Sequence, residues 1–92
     1  MDKSIIKKTF EAKISKEVCS MSKFDNVPNN QVYKIETETQ NYIFKIYAKR
    51  DWPEDGKIPF VVRKLDEYKI PHAKLYTFER NDENFPDGYL IE

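Results

Sequence analysis

Cysteine, histidine and net charge are all scarce in this chain, and each scarcity removes a class of function. The one cysteine, Cys19, has no partner for an internal disulfide, and with a single histidine, His72, it cannot furnish a structural zinc site. It reads as a small buried residue at the start of a strand. Sixteen basic residues are cancelled by sixteen acidic ones, so the charge balance favours neither nucleic acid nor an anionic membrane as a partner. The basic N-terminal stretch of Lys3, Lys7, Lys8, Lys13 and Lys16 is interrupted by Glu11 and Glu17 and reads as a solvated helix face. Long hydrophobic runs are missing too. No stretch approaches the roughly 20 residues of a spanning helix, and no signal peptide is visible, so the chain reads as cytoplasmic.

Against these absences stand six Phe, six Tyr and one Trp in 92 residues. That is enough for one domain, which at this length buries roughly 60–65% of the surface of its unfolded chain. Ile6, Phe10, Ile14 and Val18 recur every fourth position between charges, predicting an amphipathic helix over 3–18. Residues 19–24 read as a short first strand, and 25–30 as a turn rich in Asn and Asp. Residues 31–37 alternate as a second strand, and 38–41 form a four-residue hairpin connection into a third. After a polar loop, Phe60, Val61, Lys64, Leu65 and Tyr68 fall at helical spacing, with Pro59 in the first turn and Ile70-Pro71 closing the helix. Residues 73–79 and 89–92 read as two further strands, separated by a polar segment from Arg80 to Gly88. The sum is an α+β domain, a five-stranded antiparallel sheet with an N-terminal helix and a crossing helix.

The third strand holds the most informative residue. Lys45 interrupts the apolar run Tyr42-Ile43-Phe44-Lys45-Ile46-Tyr47. Such a run reads as a strand buried on both faces, where an ammonium is costly unless an anion sits against it. The plainer alternative is a lysine whose stem packs while its head reaches water.

The order of elements around that lysine resembles the N-terminal lobe of the aminoglycoside phosphotransferase-like kinases. Asn30-Gln31-Val32-Tyr33-Lys34-Ile35 is similar to the family's N-x-V-Y-x-V strand after the nucleotide loop. Tyr42 to Ile46 is similar to its lysine strand. Lys64 to Leu75 is similar to its L-x-x-x-x-I-P-x-P-x-x-L helix exit, and Gly88 to Glu92 to the strand entering the hinge between lobes. The match runs from about Val18 to Glu92.

The resemblance implies roles residue by residue. Lys45 would hold the α- and β-phosphates of ATP or GTP, bound with Mg in the full-length enzyme. The turn Val27, Pro28, Asn29 and Asn30 would lie over the phosphates and offer backbone N–H groups as an anion nest, without the glycines of protein kinases. Ile43 and Leu90 would flank the base as apolar walls, and main-chain groups of Ile91 and Glu92 would begin the hinge contacts. The family pairs its lysine with a helical glutamate seven residues before the leucine that matches Leu65, and that position here is Ile58. Glu54 and Asp55, in the preceding loop, are the candidate replacements. No residue here is expected to bind metal.

The family's H-G-D-x-x-x-x-N and its later acidic metal motif, which carry phosphoryl transfer, belong to the C-terminal lobe and do not occur in this sequence. His72 is followed by Ala73-Lys74 and reads as a residue packing at the helix exit. The 92 residues therefore read as one kinase-like domain, a fragment of a two-lobed protein cut at a domain boundary, with no catalytic residue of its own. The parent would phosphorylate a hydroxyl of an aminoglycoside, conferring antibiotic resistance, or of a metabolite such as choline. The small-molecule acceptor would bind through the other lobe, and the isolated lobe is expected to self-associate through its last strand, Tyr89 to Ile91.

A different class of reading is a stand-alone, non-catalytic protein-interaction module. Its motive is the density of aromatics, Tyr33, Tyr47, Trp52, Tyr76 and Phe85, beside a last strand open to augmentation. Ordinary core packing is the competing account of those rings.

Overall fold

The computed structural model describes residues 2–24, 30–48, 57–80 and 82–92, with side chains of the second helix described from Phe60 onward. Two helices and five strands occur in the order α1 (Lys3–Ile14), β1 (Ser20–Lys23), β2 (Gln31–Glu36), β3 (Asn41–Ile46), α2 (Lys57–Glu67), β4 (Thr77–Glu79) and β5 (Tyr89–Ile91). The strands form one antiparallel sheet in the spatial order β1-β2-β3-β5-β4. The fold is α+β, with the expected element order. Among the described residues no helix is long and apolar enough to cross a membrane.

α1 starts where a cap is available. The Asp2 carboxylate accepts the Ser4 N–H at 2.9 Å, satisfying one of the orphan donors of the first turn. That bond to the charged form lowers the Asp2 carboxyl from its ordinary 3.8. The helix ends a turn sooner than its apolar spacing predicts. Ser15 takes a left-handed conformation (φ 61°), and the Glu11 carboxylate reaches forward to accept the Val18 N–H at 2.9 Å. Val18 still packs against the core, as the spacing requires, but from an extended chain.

Ile6 and Phe10 carry α1 onto one face of the sheet, where Tyr33, Ile35, Tyr42, Phe44, Ile46, Tyr89 and Ile91 form the floor. The strand residues alternate, so every second side chain points to this layer. Phe10 meets Tyr42 edge-on at 5.0 Å, and Phe44 stacks on Tyr89 at 5.1 Å with the rings parallel to within 1°. Phe85, in the segment between β4 and β5, closes the layer against Phe44 and Tyr89 at 5.5 and 4.9 Å.

Several expectations are corrected here. Tyr33, Tyr47 and Phe85 are buried, Tyr76 alone of the four described is exposed, and Trp52 lies outside the described residues. The last strand is not the open edge that the sequence suggests: β5 sits between β3 and β4, paired on both sides, and all three of its residues are buried. The edges are β1 and β4. Cys19 is exposed rather than buried, at the entry to the edge strand β1. The fourth strand is only Thr77–Glu79. In the segment before it the Ala73 carbonyl lies 2.7 Å from the His72 ring.

Candidate functional site

The second face of the sheet carries Lys45. Tyr42, Phe44 and Ile46 point to the α1 layer, so Ile43, Lys45 and Tyr47 point away from it. Register places Val32, Lys45, Leu90 and Phe78 directly opposite one another on β2, β3, β5 and β4. Paired side chains of this kind share a face. Lys45 thus lies in the middle of an otherwise apolar row, with Ile43 two residues back along its own strand.

The expectation of burial on both faces is corrected. Ile43 and Lys45 are half-buried, and among the described residues no helix packs on the second face as α1 packs on the first. The lysine stem lies in the apolar row while the ammonium is not sealed from water, the condition in which a charge is tolerated without a partner. Among the described residues no carboxylate lies within ion-pair distance of it. The lysine pairs that do form are Lys13–Glu79, Lys34–Glu36 and Lys64–Glu67, at 3.6, 3.5 and 3.3 Å. Glu54 and Asp55, the candidate partners, lie outside the described residues, as do Val27, Pro28 and Asn29 of the turn. Ile58 falls within α2.

Asn30 is placed, and its side chain has a local task. Its Oδ1 accepts the Ala48 N–H at 3.1 Å, fastening the entry of β2 to the exit of β3. Across the same turn the Phe24 N–H donates to the Val32 carbonyl at 2.9 Å. These bonds hold Asn30 against the exit of β3 and Phe24 against β2. Leu90, beside Lys45 on this second face, is only 3% exposed, which leaves Ile43 as the more open apolar surface. Main-chain groups of the last two residues are engaged within the sheet. The Ile91 carbonyl accepts the Tyr76 N–H at 2.8 Å, and Glu92 exchanges two bonds with Ile43 at 2.7 and 3.0 Å.

One feature of this face escapes sequence reasoning. Arg80, in the segment expected to be a polar loop, is buried, with its guanidinium carbon 4.9 Å from the Phe78 ring centre and 5.2 Å from that of Tyr47. Its Nη1 donates to the Asp87 carbonyl at 2.7 Å. Burial pushes the Tyr47 phenol up to about 12, against the pull of the Arg80 cation and with a push from Glu92, so this phenol stays protonated at neutral pH. The available signal was the two-residue spacing that puts Arg80, just past the end of β4, on the same side as Phe78.

Chemically, the arrangement offers a binding surface. A cation on an apolar floor suits a ligand with an anionic group joined to a flat apolar body. Among the described residues no group of His, Cys, Asp or Glu side chains is arranged to hold a metal ion. No family model, no curated protein and no solved structure matches the chain. Functional inference therefore rests on the residues and their placement.

Proposed function

We propose that this chain is a kinase-like, nucleotide-binding lobe of a phosphotransferase that moves the γ-phosphate of ATP or GTP to a hydroxyl of an aminoglycoside or related small molecule. The observation that carries the reading is Lys45, at the centre of the sheet between Val32 and Leu90, without a carboxylate partner among the described residues. In this reading Lys45 holds the α- and β-phosphates, the 27–30 turn supplies backbone donors, and Ile43 meets the base. Magnesium enters with the nucleotide, and the groups that orient the acceptor and hold the metal come from a second lobe. Turnover by these 92 residues alone is not expected.

The test is a titration of the ¹⁵N-labelled chain with Mg·ATP and Mg·GTP, followed by amide shifts. Millimolar binding that moves Asn30, Ile43 and Lys45, and that vanishes in Lys45→Ala while the spectrum stays dispersed, is the expected result. Unmoved amides in the wild type, or equal binding in the variant, would remove the reading.

A second reading, a non-catalytic protein-interaction module, is favoured by a different observation. Phe60, Val61, Tyr68 and Ile70 are exposed along α2 and its exit. Nucleotide dependence separates the two readings, since the module needs none.

A further inference from the structure

α2 is attached to the rest of the fold in an unusual way. None of its described side chains is buried: Phe60 and Val61 are exposed, and Val62 and Leu65 are half-buried. A helix with no buried anchor among its described side chains leans on its ends for direction. The C-terminal end is well made. Lys69 turns left-handed (φ 56°), and the Ile70 N–H donates to the Leu65 carbonyl at 2.8 Å while that of Lys69 donates to the Asp66 carbonyl at 3.1 Å. This double bond pattern stops a helix and reverses the chain.

His72 then fastens the reversed chain back to the helix. Its Nε2 lies 2.7 Å from the Asp66 Oδ1, and its Nδ1 lies 2.7 Å from the Ala73 carbonyl oxygen. A carbonyl oxygen only accepts, and so does an ionised carboxylate. Both contacts are hydrogen bonds only when both ring nitrogens carry protons, which is to say when the ring is the imidazolium. The neutral ring has one N–H and must turn a lone pair toward one of the two oxygens.

We propose that His72 is a proton-operated latch that ties the last turn of α2 to the segment leading into β4, closed when the ring is charged and released when it is neutral. Asp66 is the charged group that bears on the ring. Of the other charged residues nearby in sequence, Lys64 is paired with Glu67 at 3.3 Å and Lys74 lies over the Tyr76 ring at 5.0 Å. The bond to Asp66, then the bond to Ala73, raise the histidine above its ordinary 6.5, with desolvation opposing. The sign follows. The latch contributes fully below the ordinary value, and its contribution is lost as pH rises through the raised, folded value. α2 therefore gains freedom as pH rises through that raised value. This holds whether or not the chain binds nucleotide.

Because His72 is the only histidine, its ring resonance reports the latch without assignment. In an NMR pH titration of the whole chain, the ring midpoint should lie above 6.5, and amides 66–73 should shift with the same midpoint while α1 amides stay still. Exchange protection of the Lys69 and Ile70 amides, corrected for intrinsic rates, should fall by roughly two- to fivefold across the transition, the span expected of an exposed charged bond. Asp66→Asn should lower the midpoint, and His72→Gln should abolish the transition at amides 66–73. A ring midpoint at or below 6.5, a midpoint unmoved by Asp66→Asn, or unshifted α2 amides would overturn the latch.

Discussion

The two helices bear very different relations to the sheet. α1 presents only Ile6 and Phe10 as buried side chains, yet both are completely covered. α2 carries Phe60, Val61, Val62 and Leu65 in succession around its turns and buries none of them. Apolar content of a helix does not decide whether it packs; the surface offered to it does. The face under α1 is a continuous layer of aromatic and aliphatic side chains from four strands and the Phe85 segment. The opposite face alternates Val32, Ile43 and Leu90 with Lys34, Glu36 and Lys45, and so lacks the unbroken apolar floor on which a helix can settle.

The most direct way to break the comparison is Phe10→Ala. The ring is fully buried and meets Tyr42 at 5.0 Å. Its removal leaves a cavity under α1 and should cost about 3–5 kcal/mol. For a domain of this size that is a large share of the total stability. Urea denaturation should show a midpoint collapsed toward zero denaturant. A loss under about 1 kcal/mol would mean that α1 is not clamped to the sheet in solution.

The next effect tests the junction between the two faces. Gly88 has φ +96°, and a Cβ there would sit 2.8 Å from the Glu79 carbonyl oxygen and 2.9 Å from the Arg80 Cδ. Gly88→Ala should cost about 1–3 kcal/mol, as strain in a left-handed position and displacement of the buried guanidinium. Chemical denaturation reads the cost. A neutral alanine would show that Arg80 is not held against β5.

A smaller and opposite effect is expected within the α1 layer itself. Tyr89 is fully buried between Phe44 and Phe85, and its hydroxyl has no partner among the described residues. Burial, with the Glu79 and Asp82 charges adding, pushes its phenol up to about 12. Tyr89→Phe removes an orphaned polar group and should leave stability unchanged or raise it by up to ~1 kcal/mol. A clear destabilisation in urea would reveal a partner for that hydroxyl.

How much of this was legible in the sequence depends on range. The order of elements, the antiparallel sheet and the α1 stripe follow from local periodicity, which Ile6 and Phe10 obey. The early stop of α1 did not follow, because it depends on the Glu11 carboxylate reaching seven residues forward to Val18. Placement of β5 between β3 and β4 is a long-range outcome that its own three residues do not encode. Phe85 and Arg80 sit in a stretch whose Asn, Asp, Glu and Pro content reads as solvated loop, and each is buried by partners on other strands. At the candidate site, Lys45 stood out by residue type within a strand, whereas Ile43 was implied only by the family resemblance. The parity that separates Leu90 from Ile91, and the use of Asn30 to anchor Ala48, required the register.

The smallest expected effect sharpens the comparison most, because it probes the helix without buried anchors. Phe60 is 50% exposed, with Arg63 and Lys64 lying 5.9 and 5.8 Å from its ring centre. Exposed contacts of that kind are worth about 0.5–1 kcal/mol at most, and solvation of the freed cations offsets part of it. Phe60→Ser should therefore change stability by no more than about 0.5 kcal/mol in urea, while raising solubility by removing an exposed aromatic from α2. The same truncation type that empties the core at Phe10 is then almost silent at Phe60. A cost near 2 kcal/mol would mean instead that α2 is packed in solution, and the two faces of the sheet would have to be regarded as alike.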